Sequence, residues 1–170
     1  MTNNKMLEAL NNQINEELTS AYQYLGMSAY MQKINFKGFA SWLFIQAQEE
    51  TMHAMKIYNF ILDRGGNISL KPIAVDKSAW ASPLSVFEEV YNLEKETTKK
   101  INDLVRLAIE KNDYAAHTFL QWFIMEQVEE EANVSEIIEN LKLADSSSLL
   151  LLDRELGQRK SPDEETKHSK

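Results

Sequence analysis

Four long stretches of the chain place an inward position every three or four residues, the spacing that lays a stripe along one face of an α-helix. The first stripe reads Leu7, Leu10, Ile14, Glu17, Ala21, Tyr24, Ser28 and Met31; the second reads Phe39, Leu43, Gln46, Glu50, His53, Ile57 and Phe60. A third runs Phe87, Val90, Glu94, Thr97, Ile101, Val105 and Ala108, and a fourth Leu120, Phe123, Gln127, Glu130, Val134, Ile137 and Leu141. The pattern predicts helices over about Lys5–Lys33, Gly38–Arg64, Leu84–Lys111 and Tyr114–Leu143. Each stripe is mostly apolar, yet each is interrupted near its middle by polar groups that the same spacing points inward.

The connections constrain how these helices assemble. Ile34–Lys37 and Asn112–Asp113 are too short for anything but antiparallel neighbours, so the chain reads as two helical hairpins. Between them lies Asn67 to Ser82, opened by a Gly65-Gly66 stop and closed by Ser82-Pro83, a cap and first-turn proline. Such a segment, extended, spans on the order of 50 Å, more than the roughly 40 Å of a helix of about 27 residues. The second and third helices are therefore expected to run parallel, joined by a long crossover. Asp145 to Ser148 reads as a cap cluster for a short fifth helix ending near Gly157. Its Leu149–Leu152 run suggests a contact between copies, with packing on its own bundle as the alternative. The expectation is an all-α four-helix bundle with that crossover and short fifth helix, over 1–157, followed by a disordered polar tail, 158–170.

The polar interruptions repeat. An offset of 77 positions relates Glu17 to Glu94, Glu49 to Glu126, Glu50 to Gln127 and His53 to Glu130. Glu17 and His53 each lie 18 residues from Asn35, and Glu94 and Glu130 each lie 18 from Asn112. At about 1.5 Å per residue, all four share one level, roughly 27 Å from the hairpin ends.

Composition removes several alternatives. The chain has 170 residues and no cysteine, which excludes a disulfide framework, a thiolate metal site and an iron–sulfur cluster. A net charge of −8 argues against a nucleic-acid surface. No leader pattern or membrane-length apolar run is present, so a cytoplasmic setting without membrane contact is expected.

Buried carboxylates at one level would repel one another or take up protons unless cations sit among them. Two divalent ions about 3.5–4 Å apart balance four negative charges. Oxygen-rich ligation with one imidazole suits iron or manganese, and zinc less well. Taken alone, His53 is most simply a core histidine, Tyr24 a core tyrosine, and Glu49 with Glu129–Glu131 a solvated acidic face; the shared level of the carboxylates is what changes the reading.

The chain resembles the non-haem ferritins of bacteria and archaea, members of the ferritin-like di-iron carboxylate superfamily. The similarity extends to about Arg159 and is carried by Asn12-Gln13-Ile14-Asn15-Glu16-Glu17, Gln48-Glu49-Glu50-x-x-His53-Ala54-Met55 and Glu126-Gln127-Val128-Glu129-Glu130-Glu131. The resemblance implies an iron-storage subunit that oxidises Fe(II) with O2 or H2O2 at a di-iron centre and deposits ferric mineral inside a homo-oligomeric 24-subunit shell. Glu17, Glu50 and His53 would hold the first iron; Glu50, Glu94 and Glu130 the second; and Glu49, Glu126, Glu129 and Glu130 a third. Tyr24 would hydrogen-bond a ligand or give up an electron. Gln127 belongs to the set as a neutral member that orients oxygen or a ligand. Haem is not expected, because Thr51 stands where haem-carrying relatives have methionine, and Gln127-x-x-Glu130 replaces their second Glu-x-x-His. The acidic pair that admits iron in animal ferritins has no counterpart in Ala115-Ala116-His117-Thr118. The alternative is a rubrerythrin-like di-iron peroxidase without a storage role; such proteins usually carry a cysteine-rich module, which this chain lacks.

Overall fold

The computed structural model describes residues 4–160. Its helices are α1 (Asn4–Lys33), α2 (Lys37–Asp63), α3 (Pro83–Glu110), α4 (Tyr114–Leu143) and α5 (Ser146–Leu156). The four long helices agree with the expected bounds to within one residue at each end, and α5 follows where the cap cluster placed it. The polar tail expected over 158–170 falls, for residues 161–170, outside the described residues. Among the described residues no helix is long and apolar enough to cross a membrane.

Three helices end in the same way. The N–H groups of Phe36, Gly66 and Asp113 reach back five residues to the carbonyls of Met31, Ile61 and Ala108 at 3.0, 2.9 and 2.9 Å. The residue before each lies in the left-handed region: Asn35 at φ 67°, Gly65 at 70° and Asn112 at 52°. That conformation folds the chain back over its own last carbonyls, and glycine and asparagine adopt it at least cost. The two asparagines are themselves 77 positions apart, so the hairpin turns repeat along with the helices.

Side-chain hydrogen bonds fix the path of the crossover. Asn11 exchanges bonds with the backbone of Asn67 and Ser69, and Asn15 with that of Ser69 and Lys71, at 2.6–3.0 Å. Farther on, Gly26 lies against the carbonyl of Lys77, and the Tyr30 hydroxyl donates to that of Trp80 at 2.6 Å. The connection therefore climbs α1 in the direction of α1. It delivers the chain to the end where α2 began, and α3 starts there, parallel to α2. Ser82 and Ser85 close a reciprocal capping box around Pro83.

The interior holds two apolar clusters. One contains Tyr24, Met27, Met31, Phe39, Leu43, Phe87 and Val134; the other contains Met6, Leu10, Ile14, Ile57, Ile101, Leu120 and Phe123. The layer between them is polar, because the interrupted middles of the four stripes meet there.

Helix α5 docks on the start of α2. Phe36, the N-cap of α2, offers no side-chain acceptor, and Asp153 of α5 supplies one, accepting from Phe39 N–H at 2.8 Å. Gly38 makes this approach possible, since a Cβ there would lie 1.5 Å from the Asp153 carbonyl oxygen. The leucine run divides. Leu149, Leu152 and Leu156 pack on the first cluster, as the alternative reading had it, while Leu150 and Leu151 face outward. Gly38→Ala is accordingly expected to release α5 while α1–α4 stay folded, at a cost of about 1–3 kcal/mol. Hydrogen exchange checks this: amides of 149–156 should lose protection, and unchanged rates there would refute it.

Candidate metal centre

The polar layer takes side chains from every long helix. Glu17 comes from α1, Gln46, Glu50 and His53 from α2, Glu94 from α3, and Gln127 and Glu130 from α4. None is more than 6% exposed. The four carboxylates expected at one level are thus buried together, between apolar clusters that keep water out.

Glu17, Glu50 and His53 form the tightest group. Each offers one ligand atom, and these atoms lie within 4.8 Å of one another. His53 Nδ1 stands 3.9 Å from Glu50 Oε2, too far for a hydrogen bond. Gln13 Nε2 donates to Glu17 Oε1 at 2.9 Å, but Glu17 Oε2 meets no N–H or hydroxyl donor, and short of a cation only a proton on Glu50 can link it to that neighbouring carboxyl. An orphaned carboxylate oxygen in a dry interior is costly, and a cation would satisfy it. The His53 ring stands edge-on to Trp122 and Phe123, with centroids 5.4 and 5.9 Å away. Burial lowers its pKa, with a smaller push from Lys56 and opposition from Glu17. A neutral imidazole keeps the lone pair that a metal requires.

Glu94 and Glu130 face Glu50 from the other hairpin. Glu94 accepts from the Tyr24 hydroxyl and from Gln127 Nε2, the latter at 3.1 Å. Glu130 accepts from Gln46 Nε2 at 2.8 Å. Burial raises the pKa of Glu50 well above the usual carboxylate range, and Glu94 and Glu17 add to it. Burial also raises Glu94, against the two hydrogen bonds it receives. Glu130 is pushed up to about 8 by burial and then by Glu94. Burial thus favours the protonated form of these carboxyls in the metal-free layer, and a divalent cation would take the place of the protons. Tyr24 is raised well above its ordinary value by burial and by Glu94 and Glu50, which keeps its hydroxyl a donor.

The remaining carboxylates lie farther out. Glu49 and Glu126 are half-buried and Glu129 is exposed. Burial, Glu129 and Glu49 raise the pKa of Glu126, so these three share one neighbourhood. Arg159 reaches it from beyond α5, with Nη2 at 2.6 Å from Glu49 Oε2.

Three residues contribute to the site without having been assigned a role there from sequence, although Gln46 lies on the α2 stripe and Gln13 in the first motif. Gln13 and Gln46 precede Glu17 and Glu50 by four residues, one helical turn, and that spacing was the available signal. Arg159 had none, because nothing local distinguishes it from the other charges of its segment.

Residues 7–144 match the family described as the ferritin-like domain. The chain is 39% identical over 159 residues to the bacterial non-heme ferritin of Bacteroides fragilis strain 638R, covering 94% of this chain and 100% of that one. It is 40% identical over 161 residues to that of Staphylococcus aureus strain MRSA252, covering 94% and 97%. Among solved structures, an open pore ferritin from the hyperthermophilic archaeon Archaeoglobus fulgidus superposes with a TM-score of 0.93 at 48% identity, covering 94% of this chain and 100% of that one. A closed form engineered from the Archaeoglobus fulgidus ferritin gives 0.93 at 47% identity, covering 95% and 99%.

The raised carboxyls set a pH dependence with a definite sign. Between the unperturbed 4.5 and about 8, the fold keeps the Glu130 proton that the unfolded chain has lost. Metal-free protein should therefore lose stability as pH rises through that window, by about 1.4 kcal/mol per pH unit for each proton retained. Thermal melts of chelator-treated protein from pH 5 to 8 check this, and Glu130→Gln should flatten the slope. A Tm that climbs over that range would contradict the burial of these groups.

Proposed function

This chain belongs to the ferritin family, and we propose that it is an iron-storage subunit that binds Fe(II), oxidises it and passes Fe(III) to a mineral held inside a closed homo-oligomeric shell. The observation that carries the reading is the buried Glu17–Glu50–His53 group, whose ligand atoms lie within 4.8 Å of one another and in which Glu17 Oε2 is left without a donor. Fe(II) is the substrate. Each of two ions gives one electron to O2 or H2O2, and anionic oxygen ligands favour the more highly charged product.

The residues divide this work. Glu17, Glu50 and His53 hold the first ion. Glu50 reaches a second that Glu94 and Glu130 complete. Glu49, Glu126, Glu129 and Glu130 form a third, outer position through which Fe(III) leaves. Gln127 and Tyr24 fix the orientation of Glu94 by donating to its two oxygens. Burial raises the pKa of Glu50, Glu94 and Glu130, so any proton these carboxyls hold must depart as cations bind, and uptake is favoured as pH rises. The shell would hold 24 copies of the 19.6-kDa chain, about half a megadalton, with cytoplasmic residence and no haem.

Stopped-flow oxidation of Fe(II) tests the centre. Glu50→Ala removes the carboxylate shared by both positions, and the initial rate should fall by about a hundredfold or more. Equal rates for variant and parent would end the assignment. Size-exclusion chromatography tests the shell separately, and a small oligomer would remove the storage role.

A further inference from the structure

The segment after α5 returns to the centre at one residue. Arg159 lays its guanidinium over the Trp42 ring, 4.9 Å from the centroid. Its two terminal nitrogens then diverge. Nη1 donates to Gln46 Oε1 and Nη2 to Glu49 Oε2, residues one turn apart on α2. The two sides of the fork have different consequences. On one side the positive charge offsets Glu49. On the other side it decides which way the Gln46 amide points, because an amide has one acceptor and one donor end. With Oε1 held by Arg159, Nε2 is turned to Glu130, to which it donates at 2.8 Å. One cation thus holds an outer carboxylate, Glu49, directly and an inner one shared with the outer position, Glu130, through Gln46.

Arg159 also has room to leave. It borders a groove of about 320 Å³ between α4 and α5, lined by Asn133, Glu136, Asn140 and Glu155 among others. A guanidinium displaced from Glu49 would find the carboxylates of Glu136 and Glu155 in that groove, beside its apolar residues Ile137, Leu152 and Leu156.

We infer that Arg159 is a built-in counter-cation for the outer carboxylates, one that an arriving metal ion must displace, and that it thereby sets how weakly they bind metal. The inference rests on the proposed function and deepens it, for a site through which cargo passes must release it again. In the metal-free state Arg159 holds the charge of Glu49 and the orientation of Glu130. When a divalent ion engages Glu49, Glu126, Glu129 and Glu130, it replaces Arg159 at Glu49. Arg159 acts through these groups and touches no substrate, so it is a positioning residue.

Calorimetric titration of the assembled, chelator-treated full chain with Zn(II), which undergoes no redox step, tests this. The parent should show a tight inner class at the two positions built from Glu17, Glu50, His53, Glu94 and Glu130, and a weaker outer class, identified by its loss in Glu129→Gln. Arg159→Gln removes the competing charge and should tighten the weaker class by about fivefold, the upper range for a partly exposed ion pair. The tight class should move less than the weaker one. Arg159→Lys keeps the charge but not the fork, and should fall between parent and Arg159→Gln. The inference is overturned if Arg159→Gln leaves the weaker class unchanged, weakens it, or shifts both classes equally. It is equally overturned if no weaker class is found in parent or variant. A parent that binds no Zn(II) at the inner group overturns the proposed function, and this inference with it.

Discussion

Mutual repulsion among buried carboxylates is the constraint around which this bundle is arranged. Glu17, Glu50, Glu94 and Glu130 share a dry layer between two apolar clusters. Apart from the Tyr24 hydroxyl, which the first cluster extends to Glu94, the clusters cannot relieve them, since Leu, Met and Phe side chains offer no donors. The relief available from the protein is partial. Gln13, Gln46, Gln127 and Tyr24 each donate to one carboxylate, while Glu17 Oε2 receives nothing from them. Retained protons cover the remainder, at a cost in stability that a cation would remove. A fold selected for stability alone would fill this layer with leucine. That a polar layer stands there, satisfied to within a few bonds, is the feature on which the proposed metal chemistry rests.

Keeping that layer dry places demands on distant parts of the chain. The two hairpins must run the full length of the bundle so that an apolar cluster closes each end. The crossover must then travel the same length, and Asn11, Asn15 and Tyr30 hold it against α1 while it does so. Helix α5 adds Leu152 to one cluster and caps α2 through Asp153. Because that docking fixes where α5 ends, it also fixes where Arg159 begins its reach toward Glu49. A close backbone approach at Gly38 is therefore connected to the electrostatics of carboxylates several turns away.

Most of the bundle was legible in the sequence because its periodicity is local. The stripes placed Glu50, His53, Gln127 and Glu130 inward, and each is buried. The crossover's direction followed from its length alone. What escaped were contacts made across long separations by residues with no periodic signature. Asn11 and Asn15 lie beside the stripe of α1, and their role exists only once the crossover is laid on them. Met27 is fully buried although the stripe passed through Ser28, because a buried face is wider than one line of residues. Asp153 serves a helix more than a hundred positions away. The function of Gly38 is visible only as the Cβ it lacks.

The 77-residue repeat explains why the two halves of the centre differ in chemistry while sharing a backbone. Gln46 of the first hairpin contacts Glu130 of the second. Advancing Gln46 by one repeat gives Phe123, and moving Glu130 back by one gives His53; those two residues pack ring to ring. The same geometric slot thus holds a hydrogen bond on one side of the layer and an apolar contact on the other. Likewise, Glu50 beside Glu17 becomes Gln127 beside Glu94. Each exchange has a physical consequence. Phe123 helps desolvate His53 and keep it neutral, whereas Gln46 stabilises the ionised form of Glu130. Gln127 removes one negative charge from the Glu94 side and supplies a donor in its place. The first half therefore presents a neutral nitrogen with two carboxylates, of which Gln13 holds one, and the second presents two carboxylates each held by donors. Two ions entering such a layer would meet unequal ligands from the start, an asymmetry that arises from side-chain substitution on a repeated frame rather than from any distortion of the helices.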